Sequence, residues 1–139
     1  MLRVVLDPGV VIAGLISPQG SPAQLLRRWV AGEFQIICSP ALIEEFVAVA
    51  GRDKFRRYFT LGQALAVAEL LEATAELVED RDSEASPPPD DGDAYLVHLV
   101  VSAKAFAVVT GDRALAQHAA AGFTAMSPAA LLELLDRLP

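Results

Sequence analysis

The sequence predicts a three-layer α/β/α domain with a central parallel sheet of four to five strands. Two observations predict it. Short runs of apolar, often β-branched residues alternate with longer stretches at helical spacing. The strand candidates are also continuous apolar runs rather than alternating ones, the pattern of a parallel sheet covered on both faces. With 139 residues, 53% of them apolar, the chain suits a single domain over residues 1–139 with a real core.

The elements follow in order. Arg3–Leu6 reads as a fully buried first strand, stopped by the turn Asp7-Pro8-Gly9. Residues 10–16 suit a short helix, and 17–21 a loop. Ser21 is expected to cap a helix with Pro22 in its first turn, running to about Ala31 and ended by Gly32. Residues 34–38 form the second strand, and Ser39-Pro40 opens a helix through about Ala50. Thr60 caps a long helix to about Ala75, whose leucines Leu61, Leu65 and Leu71 read mainly as core, with a dimer or other protein contact as the alternative. Leu77 and Val78 make a short third strand. Residues 80–92, centred on Pro87-Pro88-Pro89, are a surface loop within the domain. Residues 93–104 form a nearly all-apolar, buried helix. Residues 106–109 are a strand, followed by the turn Thr110-Gly111-Asp112. A short helix over 113–120, a last strand over 123–126 and a final helix capped by Ser127-Pro128 complete the chain.

The totals exclude some functions. A formal charge of −7 argues against a broad electropositive surface, while leaving room for a local cation cluster or a bound metal. The lone Cys38 allows neither an internal disulfide nor a cysteine zinc site, and its apolar surroundings predict an inert buried thiol. The start of the chain reads as a strand and not a signal peptide, and no stretch approaches the ~20 apolar residues of a membrane span. A cytoplasmic protein without membrane contact is the expectation.

Ligands of parallel sheets bind beyond the carboxyl ends of the strands. Acids gather there. Asp7 directly follows the first strand, and Asp112 follows the 106–109 strand by three residues. Asp93 starts the buried helix, and Glu45 lies in the helix after the second strand. Each alone has a bland reading: Asp93 and Asp112 as helix caps, Asp7 as a turn residue, Glu44 and Glu45 as solvated helix surface. Together they would form an all-carboxylate site suited to Mg²⁺ or Mn²⁺. Such chemistry needs neither His98, in the buried helix, nor His118, near the end of a surface helix.

The segments Val4-Val5-Leu6-Asp7, Ser39-Pro40-Ala41-Leu42-Ile43-Glu44-Glu45-Phe46, Asp90-Asp91-Gly92-Asp93 and Val108-Val109-Thr110-Gly111-Asp112 resemble, in order and spacing, those of PIN-domain proteins. Among these the chain is most similar to the VapC-like toxin components of toxin–antitoxin systems, and 17–26 also looks like that subgroup. The resemblance implies a ribonuclease that hydrolyses RNA phosphodiester bonds with metal-activated water and no protein nucleophile. It implies that Asp7, Glu45, Asp93 and Asp112 are the catalytic, metal-binding acids, with Glu44 left open as the alternative to Glu45. Asp90 matches an accessory acid, and Thr110 would orient the site through its hydroxyl. It also implies homodimers and a cognate antitoxin as partner.

One departure stands out. The family usually has Asp-Thr-Asn or Asp-Ser-Asn where this chain has Asp7-Pro8-Gly9. Loss of the groups that hold such an acid typically costs ~10–100-fold in metal affinity or activity. The rival expectation is therefore a catalytically weakened RNA- or protein-binding module of the same fold. A receiver-like or phosphate-loop domain is a weaker rival, since no G-x-x-x-x-G-K run is present and the only late lysine, Lys104, ends a helix. The basic patch Arg52, Lys54, Arg56 and Arg57 is the RNA-contact candidate, with a solvated helix end as its bland reading; Arg27 and Arg28 are a second, weaker one.

Overall fold

A computed structural model describes residues 1–80, 94–112 and 123–139. The expected loop at 80–92 and helix at 113–120 fall almost wholly outside the described residues, as do Asp90 and Asp93.

The sheet has five strands, all parallel: β1 (Arg3–Leu6), β2 (Gln35–Cys38), β3 (Glu76–Leu77), β4 (Ala107–Val109) and β5 (Ala125–Met126), in the order β3-β2-β1-β4-β5. Val4, Val5 and Leu6 are buried in succession, as are Ile36, Ile37 and Cys38. Consecutive side chains point to opposite faces, so both faces of the sheet are covered. Here the expected parallel, doubly covered sheet is found. Burial also pushes the Cys38 thiol up to about 12, which keeps it protonated.

Helices α1 (Pro8–Ile16) and α2 (Ser21–Val30) pack on each other, and α2 packs on the last helix, α6 (Pro128–Arg137). Helix α3 (Pro40–Ala50) packs on α1 and on α4 (Leu61–Thr74), and touches α5 (Ala94–Ser102). Arg28 ties α2 to α6 through Asp136, at 2.6 Å. Gly14 lets α1 and α2 come close: a Cβ there would lie 2.5 Å from Leu26 Cδ1 and 3.3 Å from the Ala23 nitrogen.

Three expectations need correction. Ser21 is not a cap: α2 begins at Ser21, Gly20 is the N-cap, and no side chain caps the end. The first helix starts at Pro8 and not at Val10, with Asp7 as its N-cap. Of the α4 leucines, only Leu71 is core; Leu61 and Leu65 are about half exposed. Their place is taken by Ala64 and Ala68, which together with Leu71 make the buried stripe at positions i, i+4 and i+7.

Candidate functional site

Asp7 stands at the carboxyl end of β1. Its backbone N–H donates to the Val109 carbonyl at 2.9 Å, which seats it beside the end of β4. The next residue of β4's chain is Thr110, only 2% exposed, whose own N–H donates to Met126 of β5 at 2.9 Å. The sheet thus delivers Asp7 and Thr110 to one point on its carboxyl edge.

The side chains there form a short relay. The Asp112 backbone N–H donates to Thr110 Oγ1 at 3.0 Å. With that lone pair taken, the threonine hydroxyl donates to Asp7 Oδ2 at 2.8 Å. The other carboxylate oxygen, Oδ1, accepts the Gly9 N–H at 2.9 Å, as an N-cap does. Both Asp7 oxygens are therefore held, and each keeps a further lone pair. Asp7 and Asp112 open onto one cleft of about 240 Å³, walled by Gly9, Val10 and Ala13 of α1, Pro22 of α2, Gly111 and Pro128 of α6.

The Gly9 N–H is the functional group that reading the sequence missed. Pro8 and Gly9 lack the side chains that would hold Asp7, but the backbone supplies one of the anchors. The signal was present: an acid followed by proline is the start of a helix, with Pro at N1 and the N2 N–H free to bond the cap. Reading Asp7-Pro8-Gly9 as a turn hid it.

Glu44 and Glu45 are both exposed on α3. Glu44 lines a different cleft, of about 440 Å³, with Pro40, Ile43, Glu72 and Leu77. Neither glutamate lines the Asp7 cleft. Helix α3 itself is firmly placed, because Ser39 Oγ accepts the Leu42 N–H at 3.3 Å and Asp80 Oδ2 accepts the Ala41 N–H at 2.9 Å. Among the described residues, no three His, Cys, Asp or Glu side chains gather closely enough to hold a metal ion. Two carboxylates on one cleft nonetheless fit Mg²⁺, which is commonly bound through one or two carboxylates, with water and substrate phosphate completing its shell.

In the basic patch, Arg56 turns inward. Its guanidinium donates to the Ala50 carbonyl at the end of α3 and lies 5.3 Å from the centroid of the Phe59 ring. Arg52, Lys54 and Arg57 remain exposed.

An all-parallel α/β domain with paired acids at its carboxyl edge is the class that fold and site define. Residues 3–114 match the family model described as "PIN domain", and the chain belongs to that family. The matched span includes Asp7, Glu45, Asp93 and Asp112. Solved structures share the fold. VapBC-1 from nontypeable Haemophilus influenzae aligns with TM-score 0.61 at 12% identity, covering 92% of this chain and 99% of that one. Mycobacterium tuberculosis VapC20, described as a sarcin-ricin loop cleaving toxin, aligns with TM-score 0.56 at 12% identity, covering 87% and 96%. A domain of a functionally unknown protein from Methanocaldococcus jannaschii aligns with TM-score 0.56 at 18% identity, covering 91% of each chain. No curated protein matches the sequence. No described helix is long and apolar enough to cross a membrane.

Proposed function

We propose that this PIN domain is a metal-dependent endoribonuclease, the toxin of a toxin–antitoxin pair. The observation that carries the reading is the Asp7 carboxylate, held at both oxygens and facing the same cleft as Asp112. This arrangement favours a working site over the weakened module, because Thr110 and the Gly9 N–H supply the orientation that Pro8 and Gly9 lack as side chains.

Asp7 and Asp112 would hold Mg²⁺ or Mn²⁺, with Asp93 and Glu45 completing the acid set. Such an ion, when bound, lowers the pKa of an attacking water and stabilises charge on the phosphate. The chain's own contribution is orientation. Thr110 keeps Asp7 from rotating, and the Asp112 N–H fixes the direction of the threonine hydroxyl. With Glu44 committed to another cleft, Glu45 is the α3 acid of choice. The likeness to VapC20 supports RNA as substrate, and the likeness to VapBC-1 supports a cognate antitoxin; a homodimer belongs to the same reading.

The test is cleavage of single-stranded RNA with added Mn²⁺ by the full chain and by Asp93→Asn and Asp112→Asn. Each substitution is expected to lower the rate at least ~100-fold, and EDTA to abolish it. Undiminished cleavage by either variant removes that residue from the site. Calorimetry with Mn²⁺ separates enzyme from module: heat of binding that Asp7→Ala loses supports the enzyme, and its absence in the parent chain supports the module.

A further inference from the structure

We infer that Arg57 and Tyr58 form a stacking platform for one base of a single-stranded RNA, a base flanking the cut and not at it. The inference rests on RNA being the substrate, as in the ribonuclease reading.

The segment between α3 and α4 is where rings and cations meet. Residues 52–60 hold four of the chain's eleven basic side chains, three rings and one acid, Asp53. Burial sorts the rings. Phe59 belongs to the core, and the half-buried Phe55 stacks on it, with centroids 5.8 Å apart and planes 14° from parallel. The backbone between them is a tight turn, in which the Tyr58 and Phe59 N–H groups both donate to the Phe55 carbonyl, at 2.9 and 3.1 Å. That turn sends Phe59 inward and leaves Tyr58 48% exposed. Both flanks of the turn are braced. The Arg56 guanidinium donates to the Ala50 carbonyl at the end of α3, and Thr60 and Gln63 close a capping box at the start of α4. An exposed ring on a braced turn is already ordered, so a ligand that stacks on it gives up little conformational freedom of the protein.

The Arg57 guanidinium lies 5.2 Å from the Tyr58 ring centroid. Ring and guanidinium are both flat surfaces on which RNA-binding proteins stack unpaired bases. Arg52 and Lys54, exposed on the same segment, offer charge for phosphates. The matching ligand therefore alternates flat apolar faces with negative charges. An acidic peptide brings the charges without a ring for each. A duplex keeps its bases stacked on one another. A single strand brings one free base with every phosphate. The platform also lies beyond the C-terminal end of α3, whereas Glu45 is ~7.5 Å back along that helix from its last residue, Ala50. The stacked base thus belongs to a neighbouring nucleotide and not to the one being cut.

The experiment uses the full chain with a fluorescent single-stranded RNA and with an abasic ribose-phosphate strand of the same length. Binding is read by anisotropy in EDTA, and RNA cleavage separately with Mn²⁺. Tyr58→Ala is expected to weaken RNA binding about tenfold, with the salt slope unchanged, and to leave the abasic strand bound as by the parent. Tyr58→Phe, which keeps the ring, is expected to bind RNA as the parent does. All variants are checked by thermal melting, and Tyr58→Leu, which keeps apolar bulk without a ring, replaces the alanine variant if that one does not fold. RNA bound equally by the parent and the ringless variant overturns the platform. So does an equal loss on the abasic strand, or a Tyr58→Phe loss as large as that of Tyr58→Ala. A parent chain that neither binds nor cleaves any RNA removes the ribonuclease reading, and this inference with it.

Discussion

Thr110 is the residue on which the site turns. It is buried, and its hydroxyl donates to the Asp7 carboxylate while accepting the Asp112 backbone N–H. Thr110→Val keeps the shape but takes a donor from Asp7 Oδ2 and an acceptor from the Asp112 N–H. A carboxylate that orients a metal loses ~10–100-fold in affinity or activity when such a support goes. We expect Mn²⁺ affinity, measured by calorimetry, to fall by that factor in Thr110→Val and to recover in Thr110→Ser. Equal affinity in all three proteins would show that the Gly9 N–H suffices alone. The threonine was legible in the sequence as part of the Thr-x-Asp resemblance. The glycine was legible only through Asp7-Pro8 as a helix start, which the turn reading hid, because its contribution is a backbone N–H and not a side chain.

At the scale of elements, the legible parts were those with a local signal. Ser39, Thr60 and Ser127 cap helices as read, since each hydroxyl is placed to accept the N–H three residues on. The start of α2 was misread because proline is tolerated throughout a helix's first turn, so Ser21-Pro22 fits two registers. Helix α4 was misread because leucines suggest the core while its alanines form it. Strand β3 shows what no local signal announces. Arg3 of β1 reaches Glu76 of β3 with two hydrogen bonds, of 3.0 and 2.5 Å, near the edge of the sheet away from the acids. The hydrogen bond from Arg3 holds Glu76 below the usual carboxylate range and Arg3 above its own. A depressed folded-state pKa stabilises the fold above the unfolded value, ~4.3 for glutamate, and this gain disappears as pH falls through the folded value. The pair is more than a third exposed, so screening limits it to the ~0.2–1 kcal/mol of surface pairs. Urea titrations should show wild type more stable than Glu76→Gln at pH 7 and the difference shrinking below about pH 4. A difference independent of pH would mean that packing, and not charge, links the two strands.

The whole molecule carries seven more acidic than basic side chains, yet the proposed substrate is a polyanion. Attraction must then come from a small surface where cations are concentrated. The stretch after α3 is the candidate, and the fold sorts its four cations into two kinds. Arg56 is spent on the structure, closing the end of α3 and stacking on Phe59. Arg52, Lys54 and Arg57 face solvent; Lys54 lies 5.1 Å from the Phe55 ring centroid and Arg57 5.2 Å from that of Tyr58. Rings beneath cations hold the charge at the surface without neutralising it. Each phosphate contact on a single strand contributes ~0.7 to the slope of log affinity against log salt. Replacing Arg52, Lys54 and Arg57 together by alanine should therefore flatten that slope by up to ~2 if all three meet phosphates, measured by RNA anisotropy in EDTA so that no cleavage intervenes. Arg56→Ala should act differently. It should lower the melting temperature, because a helix-end carbonyl loses its donor and a ring its cation, and leave the salt slope of the folded fraction unchanged. A triple variant with the parent's slope would mean that RNA lies elsewhere on the surface, and would return this patch to the role of a solvated helix end.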